Sequence, residues 1–575
     1  MKIEYNQETK IWKSLNYPHV EYVKHFIGEA FLENFKKVPG DKVLEWHYDT
    51  GLAKTMDDIY RDSVTVAINL QRLGVKKGDV VVFYSMVNCK VSSLAMGALM
   101  LGAVVNFFET TFQKEAAKYT LNLLNPNVLL YEEKFKSAIL DISKDIKLPN
   151  LKYQISIDGK SGVNVDNVLF KSISSFTQDN FRLPNLGDPQ THTAFLLFTS
   201  GSTGLPKAVA LSHAQMLHGV VSFWSQPNGS SILTPDAIIF SLSPIRWISQ
   251  VDLMLQSLLM GIKRVYASGF PAGEYGREVV RQGKVTHFFS PPSVFKEIIL
   301  SIAANDLEAL NSVKVIYLGG EDPGQTIIDM AGKLAPQATI MRCYGMTELA
   351  GLTSCDQHIN GGYIVPGVEV KMLDDNLKAV GPNQKGQLCM RLPMPFMGYH
   401  KIDNSKIYYS DGFLNTGDYG YMDDNKALHI MARYKDLVRA KEVILIPSEV
   451  EKLVCTLSSI FASTLVGYRT SNTDVEDKGA LYIVKQLQNI KANENRKQQQ
   501  RQPDEKMELV EEVQDKEKEN EVLKVEVKKL LENHLKCNES CIIRLVNIIE
   551  KLPLTSCGKV DKPALIQLAK SLDME

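Results

Sequence analysis

The chain of 575 residues has no excess of charge of one sign, because 65 lysines and arginines stand against 66 aspartates and glutamates. A formal net charge of −1 provides no global attraction to nucleic acid or anionic lipid, so neither is an expected partner. The eight cysteines are scattered, and the first residues do not resemble a signal peptide. Reduced thiols and a cytoplasmic location are therefore expected. The C-terminus lacks a Ser-Lys-Leu-like peroxisomal address.

Long hydrophobic runs are scarce as well. One charge-free run, residues 91–108, has the length of a membrane span, but glycines and polar residues interrupt it. We predict a buried helix there, followed by a buried strand over 103–108, and no integral membrane span. A zinc site is not expected at Cys537 and Cys541, because no second Cys or His pair accompanies them.

A loop of hydroxyls and glycines is the most informative feature that is present. It follows a strand-like run, Ala194–Phe198, and closes on Lys207. Glycines let the backbone fold so tightly that several N–H groups point at one anion, and the lysine adds positive charge. Ala208 follows that lysine, so this is not a Walker loop. We predict a nucleotide-phosphate loop, with a flexible Ser/Gly surface segment as the alternative. Its candidate residues are Thr199, Ser200, Gly201, Ser202, Thr203, Gly204 and Lys207.

Alternating helical and apolar strand-like segments continue through most of the chain, for example at 56–73, 79–83 and 127–131. Repeated units of this kind predict an α/β fold with a mostly parallel sheet and helices on both faces. Residues 367–399 change to short strands with turns. We predict a small β-barrel there.

Further motifs follow the loop in a fixed order. They are Gly319-Gly320-Glu321, Tyr344-Gly345-Met346-Thr347-Glu348, Asn415-Thr416-Gly417-Asp418 and Gly558-Lys559 within the segment 552–561. With them the chain resembles the adenylate-forming superfamily of acyl-CoA synthetases, 4-coumarate:CoA ligases and beetle luciferases. It is most similar to insect luciferase-like acyl-CoA synthetases. The resemblance covers residues 70–568 apart from one charged insertion.

The resemblance implies an AMP-forming acid–thiol ligase. A fatty or aromatic carboxylate attacks the α-phosphorus of ATP, pyrophosphate leaves, and the acyl-adenylate then passes its acyl group to coenzyme A. ATP and Mg²⁺ are the implied cofactors, and coenzyme A is the co-substrate. Lys559 is implied as the catalytic lysine that bridges the carboxylate and the α-phosphate. Glu348 is implied to hold Mg²⁺ together with Thr203.

The remaining roles also rest on the resemblance. Tyr344 is implied to stack on adenine and Thr347 to contact the α-phosphate. Trp247 falls where the family gates the acyl pocket, although a tryptophan is also an ordinary core residue. Gly219 and Gly345 are candidates for lining the same pocket. The implied adenine and ribose contacts are Gly319, Gly320, Glu321, Gly345, Asp418 and Arg433. Lys435 and Lys441 are further implied cofactor-binding residues.

Two domains are expected, an adenylation domain over 1–434 and a mobile C-terminal domain over 435–575 that rotates about Lys435. The family's thiol-approach loop corresponds to Lys441–Glu449, where Glu442 replaces a glycine. Glutamate adds bulk and negative charge near a polyanionic co-substrate, so adenylation is better supported than thioester formation.

Three alternatives remain at this stage. The first is an adenylating enzyme with impaired thioesterification. The second is a non-catalytic acyl or nucleotide binder acting through the insertion at 491–520, where sixteen of thirty residues are charged. We interpret that insertion as disordered or partly helical, with docking of a protein partner as a possible role. The third, luciferin oxygenation, is disfavoured by Gly219 and Trp247.

Overall fold

The computed structural model describes residues 3–573 apart from several internal segments. The segments outside the description are 16–21, 160–162, 172–180, 200–204, 225–231, 270–272, 303–307, 405–407, 410, 441–442, 472–473, 475, 486–504, 536–541 and 554–559, and the side chains of 505–516. The chain divides into two compact units. Unit 1 comprises Met1–Thr416 and Tyr421–His429, and unit 2 comprises Gly417–Gly420 and Ile430–Glu575. The domain boundary between residues 434 and 435 stays a prediction.

The elements up to residue 433 alternate between strand and helix. The strands are β1 (Ile3–Asn6), β2 (Ile11–Ser14), β3 (Val43–His47), β4 (Ala53–Thr55), β5 (Val80–Tyr84), β6 (Val104–Phe107), β7 (Val128–Tyr131), β8 (Tyr153–Ser156), β9 (Thr193–Thr199), β10 (Lys207–Ser212), β11 (Ile238–Ser241), β12 (Lys263–Tyr266), β13 (His287–Ser290), β14 (Val315–Gly319), β15 (Thr339–Met346), β16 (Gly351–Asp356), β17 (Gly361–Ile364), β18 (Glu369–Leu373), β19 (Ala379–Val380), β20 (Gly386–Arg391), β21 (Leu414–Met422) and β22 (Leu428–Arg433). The helices are α1 (Ile27–Phe35), α2 (Met56–Arg72), α3 (Val91–Met100), α4 (Lys114–Leu124), α5 (Lys136–Asp145), α6 (Val165–Val168), α7 (His213–Ser222), α8 (Ile248–Met260), α9 (Gly273–Gln282), α10 (Pro292–Ser301) and α11 (Gly324–Leu334).

The later elements belong to unit 2. They are β23 (Val438–Ala440), β24 (Val443–Leu445), α12 (Pro447–Val454), β25 (Ile460–Tyr468), β26 (Lys478–Lys485), α13 (Glu505–His534), β27 (Ile543–Ile548) and α14 (Lys562–Leu572).

A six-stranded sheet in unit 1 has the order β10-β9-β6-β5-β7-β8. All neighbouring strands are parallel except the β9–β10 pair, which is antiparallel. Every residue of β5 is buried, as expected when both faces of a parallel sheet are covered. The predicted α/β class with parallel strands is confirmed.

A second sheet of unit 1 is longer and mixed. Adjacent strands within the run β3-β12-β11-β13-β14-β15 are parallel to each other. Beyond β15 the order continues as β16-β17-β22-β21-β20-β18-β2-β1. The predicted closure of residues 367–399 into a small β-barrel is wrong. Among the described strands, the sheet stays open and ends at β1 on this side. The reason is that β18 pairs with β2 and β20 along one path, as an antiparallel extension of the large sheet.

The charge-free run at 91–108 forms helix α3 and strand β6, and both are buried. The interpretation as a buried helix followed by a buried strand is confirmed. No helix within the described part of the chain is both long and apolar enough to cross a membrane.

Unit 2 has its own core. Strands β25, β26 and β27 form one sheet, and helix α13 packs on it through Leu523, Val527 and Leu531. These residues recur every four positions, so they lie on one face of the helix. Helix α13 begins at Glu505, so the second half of the charged insertion is helical, and its earlier part lies outside the described residues.

Candidate nucleotide and acyl site

The predicted phosphate loop connects two antiparallel strands of the six-stranded sheet. Thr199 ends β9 and lies directly opposite Lys207, which begins β10. The loop therefore joins the two strands of a hairpin. The strand register places Thr199 and Lys207, the candidate residues at its two ends, side by side. Residues Ser200, Gly201, Ser202, Thr203 and Gly204 lie outside the described part of the chain.

The Gly319-Gly320-Glu321 motif lies at the carboxyl end of β14. Gly320 has a φ of +92°, a conformation that glycine adopts without a steric penalty. A methyl group on Gly319 would lie 3.0 Å from the Cys343 carbonyl oxygen, so β15 packs closely against this glycine. The Glu321 carboxylate accepts a hydrogen bond of 2.8 Å from the Ser293 backbone N–H, which is in the first turn of α10. A carboxylate there satisfies a helix donor that has no partner within the helix.

Tyr344 and Gly345 lie near the end of β15, beside the glycines of β14. The register between β14 and β15 places Cys343, the residue before Tyr344, opposite Gly319. On its other side β15 pairs with β16, and the register shifts between Tyr344 and Gly345. Parallel strands of an open α/β sheet present their ligand-binding groups at this carboxyl edge. The structure thus brings the two predicted adenine-contacting motifs together.

Glu348 is buried in the short turn Thr347–Leu349 that follows β15. Its Oε1 accepts a hydrogen bond of 2.7 Å from the Tyr399 hydroxyl. The Lys207 ammonium lies 5.1 Å from the centroid of the same tyrosine ring, within the range of a cation–π interaction. Tyr399 therefore links the predicted metal-binding carboxylate to the predicted loop lysine.

The chain segment around Tyr399 is held against β10. The His400 N–H donates to the Ala208 carbonyl at 2.8 Å, and the Ala210 N–H donates to the Gly398 carbonyl at 3.0 Å. This pairing fixes the position of the tyrosine ring relative to Lys207. Sequence reasoning missed Tyr399, because no motif surrounds it and its partner Glu348 is 51 residues away.

Trp247 is half-buried and precedes the first residue of α8. Its neighbour Arg246 forms an ion pair with Glu109, which follows β6. Sequence reasoning also missed Glu109, although an acidic residue just after a strand at the carboxyl edge of a sheet could have indicated it. The gating role of Trp247 stays a prediction.

Three glycines come together beside α8. A methyl group on Gly345 would lie 2.1 Å from the Gly351 carbonyl oxygen, and one on Gly219 would lie 2.2 Å from the Ala350 carbonyl oxygen. Any side chain at Gly219 or Gly345 would therefore collide with backbone. The structure places both predicted pocket glycines against the same turn, Ala350–Gly351.

Asp418 and Arg433 form an ion pair within unit 2. The distance from Arg433 Nε to Asp418 Oδ1 is 3.2 Å. The aspartate is buried, whereas the arginine side chain is 55% exposed. Lys435 is exposed in the following turn, Tyr434–Asp436. The predicted residues Lys441 and Lys559, and the atypical Glu442, lie outside the described residues.

The chemistry available in unit 1 is that of anion binding. A loop lysine, a buried carboxylate and backbone N–H groups at a sheet edge suit a nucleotide and its metal ion. Within the described residues no three His, Cys, Asp or Glu side chains form a metal cluster. A single buried carboxylate such as Glu348 nevertheless fits Mg²⁺, which proteins bind through one or two carboxylates together with substrate phosphates.

Comparisons with known proteins agree with this chemistry. The model of the AMP-binding enzyme family matches residues 31–400. A luciferin 4-monooxygenase of Photinus pyralis is 25% identical over 451 residues, which cover 76% of this chain and 80% of that protein. A probable 4-coumarate–CoA ligase 1 of Dictyostelium discoideum is 25% identical over 462 residues, with 75% and 80% covered.

A likeness to solved structures supports the fold. The anthranilate CoA ligase AuaEII in complex with anthranoyl-AMP superposes with a TM-score of 0.77 at 16% identity. The match covers 96% of this chain and 99% of that chain.

Proposed function

Since the chain belongs to the AMP-binding enzyme family, we propose that it activates a carboxylic acid as an acyl-adenylate and transfers the acyl group to coenzyme A. The acid belongs to the fatty or aromatic class. The observation that carries the proposal is the link from Lys207 through Tyr399 to Glu348. It joins the predicted phosphate loop, on the six-stranded sheet, to the turn that follows the Tyr344-Gly345 motif on the large sheet. The names of the curated relatives, a luciferase and a 4-coumarate–CoA ligase, support the same reaction class.

The first half-reaction brings two anions together. An oxygen of the carboxylate forms a bond to the α-phosphorus of ATP, and the bond from that phosphorus to the pyrophosphate oxygen breaks. Positive charge must therefore surround the phosphates. We assign this work to Lys207 on the phosphates and to Lys559 between the carboxylate and the α-phosphate. Thr347 contacts the α-phosphate from the turn that carries Glu348.

Glu348, fixed by the Tyr399 hydroxyl, is the protein ligand proposed for Mg²⁺. When bound, Mg²⁺ neutralises phosphate charge. Thr203 is the second proposed contact. Tyr344 and the glycines Gly319 and Gly320 receive the adenine.

Asp418 accepts hydrogen bonds from the ribose hydroxyls, and Arg433 reaches the ribose beside it. Their ion pair holds the carboxylate in one orientation before the nucleotide arrives. A preoriented acceptor loses less conformational entropy when the ligand binds.

In the second half-reaction the thiol sulfur of coenzyme A attacks the acyl carbon, and AMP leaves with the bonding electrons. Unit 2 supplies the Lys441–Glu449 loop for this step and turns about Lys435. Glu442 places a carboxylate where the family has a glycine. An adenylating enzyme that forms thioesters slowly is therefore the second candidate function.

The test is carboxylate-dependent exchange of ³²P between pyrophosphate and ATP over a panel of fatty and aromatic acids, with coenzyme A then added to the best substrate. Exchange followed by AMP release and thioester formation supports the full proposal. Exchange without a thioester supports the second candidate. If no acid in the panel supports exchange, the proposed function is wrong.

We expect Glu442→Gly to raise coenzyme A-dependent thioester formation and to leave pyrophosphate exchange unchanged. Glycine removes a negative charge near a polyanionic co-substrate and permits close approach of its backbone. The two rates are measured on the same enzyme preparation. Glu476→Gln, at an exposed carboxylate of unit 2 outside this loop, is the control that removes a charge without a glycine. An unchanged or lower thioester rate in Glu442→Gly would contradict this role.

We expect Tyr399→Phe to raise the Mg²⁺ concentration for half-maximal exchange by about 10-fold. Loss of an outer hydrogen bond to a metal-ligating group typically costs 10- to 100-fold in metal affinity or activity. The measurement is exchange activity titrated with Mg²⁺ at fixed total ATP. Tyr408→Phe, at an exposed tyrosine nearby in sequence, is the control and should leave the titration unchanged. An unshifted curve for Tyr399→Phe removes the metal-positioning role.

A further inference from the structure

Asp252 is an acidic residue in the middle of a buried helix. It lies on α8, and its carboxyl is fully buried. Neither carboxyl oxygen has a hydrogen-bond partner among the described residues. Acidic side chains are rarely buried without a partner, because a polar group removed from water needs a new one. An unpartnered buried carboxyl therefore requires a functional or structural reason.

The position of this carboxyl is set by two glycines. A methyl group on Gly351 would lie 2.4 Å from Asp252 Oδ2, and one on Gly219 would lie 3.1 Å from Asp252 Oδ1. The carboxyl thus occupies the space that side chains at these two positions would fill. Neither glycine has a side chain that could donate a hydrogen bond to it.

One of these two glycines is a predicted residue of the acyl pocket, and the other lies beside a second predicted pocket residue. Gly219 is a pocket candidate from the sequence, and Gly351 contacts the second candidate, Gly345, through its carbonyl oxygen. Gly345 follows Tyr344 in the proposed adenine site. On α8, Ile248 lies one turn before Asp252 and faces Gly351 as well, with its Cγ1 3.8 Å from the position of a methyl group there. Trp247, the proposed gate, precedes Ile248 in the chain.

Burial raises the pKa of the Asp252 carboxyl well above its usual range, because desolvation favours the neutral form. A neutral carboxyl both donates and accepts hydrogen bonds. Among the described residues, Gly219, Gly351, the Ala350 carbonyl and Ile248 surround it. A ligand that brings a hydrogen-bonding group into this corner replaces the contact with water that folding removed.

We propose that Asp252 selects the acid substrate, by binding a hydroxyl or amino group carried at the end of the acid remote from its reacting carboxylate. This inference rests on the proposed function, since it names a substrate class for that same site. It narrows the fatty or aromatic class to acids with a second polar group. Asp252 is a specificity-determining residue for this substrate class.

The experiment compares unsubstituted, terminally hydroxylated and terminally aminated forms of the same straight-chain acid, over a range of chain lengths, in ATP–pyrophosphate exchange. For the wild type we expect the best substituted acid to exceed its unsubstituted partner by about 10- to 100-fold in kcat/KM, since a site built to hydrogen-bond a substrate rejects the analogue without that group. Asp252→Leu should reverse this preference. Asp252→Asn should retain a preference for the hydroxyl and lose any preference for the charged amine.

A structural role predicts a different pattern, which the melting temperature tests. Because the carboxyl has no described partner, Asp252→Leu should melt at the wild-type temperature or higher, whereas loss of a structural hydrogen bond should lower it. Ser257→Ala is the matched control on the same helix, since its hydroxyl donates to the Leu44 carbonyl at 2.8 Å. It should leave the substrate preference unchanged.

Each outcome bears on one of the two proposals. Exchange with equal rates for all three forms, or a preference that survives in Asp252→Leu, overturns the role of Asp252 and leaves the proposed function standing. Absence of exchange with every acid overturns the proposed function. In that case the inference about Asp252 is tested by the shift in melting temperature when each acid is added. The inference stands only if a substituted acid stabilises the wild type and does not stabilise Asp252→Leu.

Discussion

Replacing Lys559 with alanine is expected to lower ATP–pyrophosphate exchange by about 10²–10³, the scale of removing one preorganised electrostatic donor. Its ammonium is assigned to the charge that develops between the attacking carboxylate and the α-phosphate. That interaction is stronger in the transition state than in the bound substrate, so the loss falls on kcat. The dissociation constant for ATP should remain nearly unchanged. Exchange kinetics and equilibrium binding of ATP together test both statements.

The described residues on either side of this lysine contact each other. The Asp561 N–H donates to the Pro553 carbonyl at 2.8 Å. Directly after it, the Lys562 ammonium lies 2.8 Å from an Asp436 carboxylate oxygen.

Two further variants separate charge from position. Lys559→Arg keeps the charge but changes its shape and hydrogen-bonding geometry, so we expect partial activity. Lys551→Ala removes an exposed lysine a few residues earlier and should leave exchange unchanged. Near-wild-type exchange in Lys559→Ala would refute the catalytic role, and equal losses in Lys559→Ala and Lys551→Ala would indicate a general effect of charge instead.

The fold class could be predicted because its signal is local. Apolar strand runs such as Val80–Tyr84 and the interrupted run at 91–108 each reveal their element without reference to distant residues. The open extension of the large sheet could not, because it depends on pairing between β18 and β2 from opposite ends of unit 1. Short strands separated by turns predict antiparallel pairing. A closed barrel and an open sheet share this local pattern, so the pattern does not distinguish them.

The residues of the candidate site also fall into those that local sequence identifies and those that it does not. Motif residues such as Tyr344 and Glu348 are found from their neighbours in the sequence. The link through Tyr399 and the carboxyl at Asp252 arise from contacts between segments far apart in the chain. A lone aspartate in an apolar helix has no sequence signal that separates a pocket residue from a structural one. The proposal for Asp252 rests instead on the position of its carboxyl beside Gly219 and Gly351.

Removing the carboxylate of Glu45 is expected to destabilise unit 1 by about 3–5 kcal/mol, the usual cost of removing one partner of a buried ion pair. Glu45 on β3 lies opposite Arg264 on β12, with 2.6 Å between Oε1 and an arginine Nη2. Both side chains are at most 1% exposed. The Ser92 hydroxyl donates to the same glutamate oxygen at 2.7 Å. In Glu45→Ala the guanidinium would remain buried with no carboxylate to balance its charge.

The double variant Glu45→Leu/Arg264→Met should recover most of this loss, because removing both charges also removes the cost of burying them. Denaturant unfolding followed by tryptophan fluorescence measures the effect in unit 1, since all four tryptophans lie there. Arg61→Met, at an exposed pair with Asp58, is the control, and should cost no more than about 1 kcal/mol. A Glu45→Ala variant as stable as this control would mean that the arginine charge reaches water, and that the packing of β3 on β12, rather than the ion pair, holds this edge of the sheet.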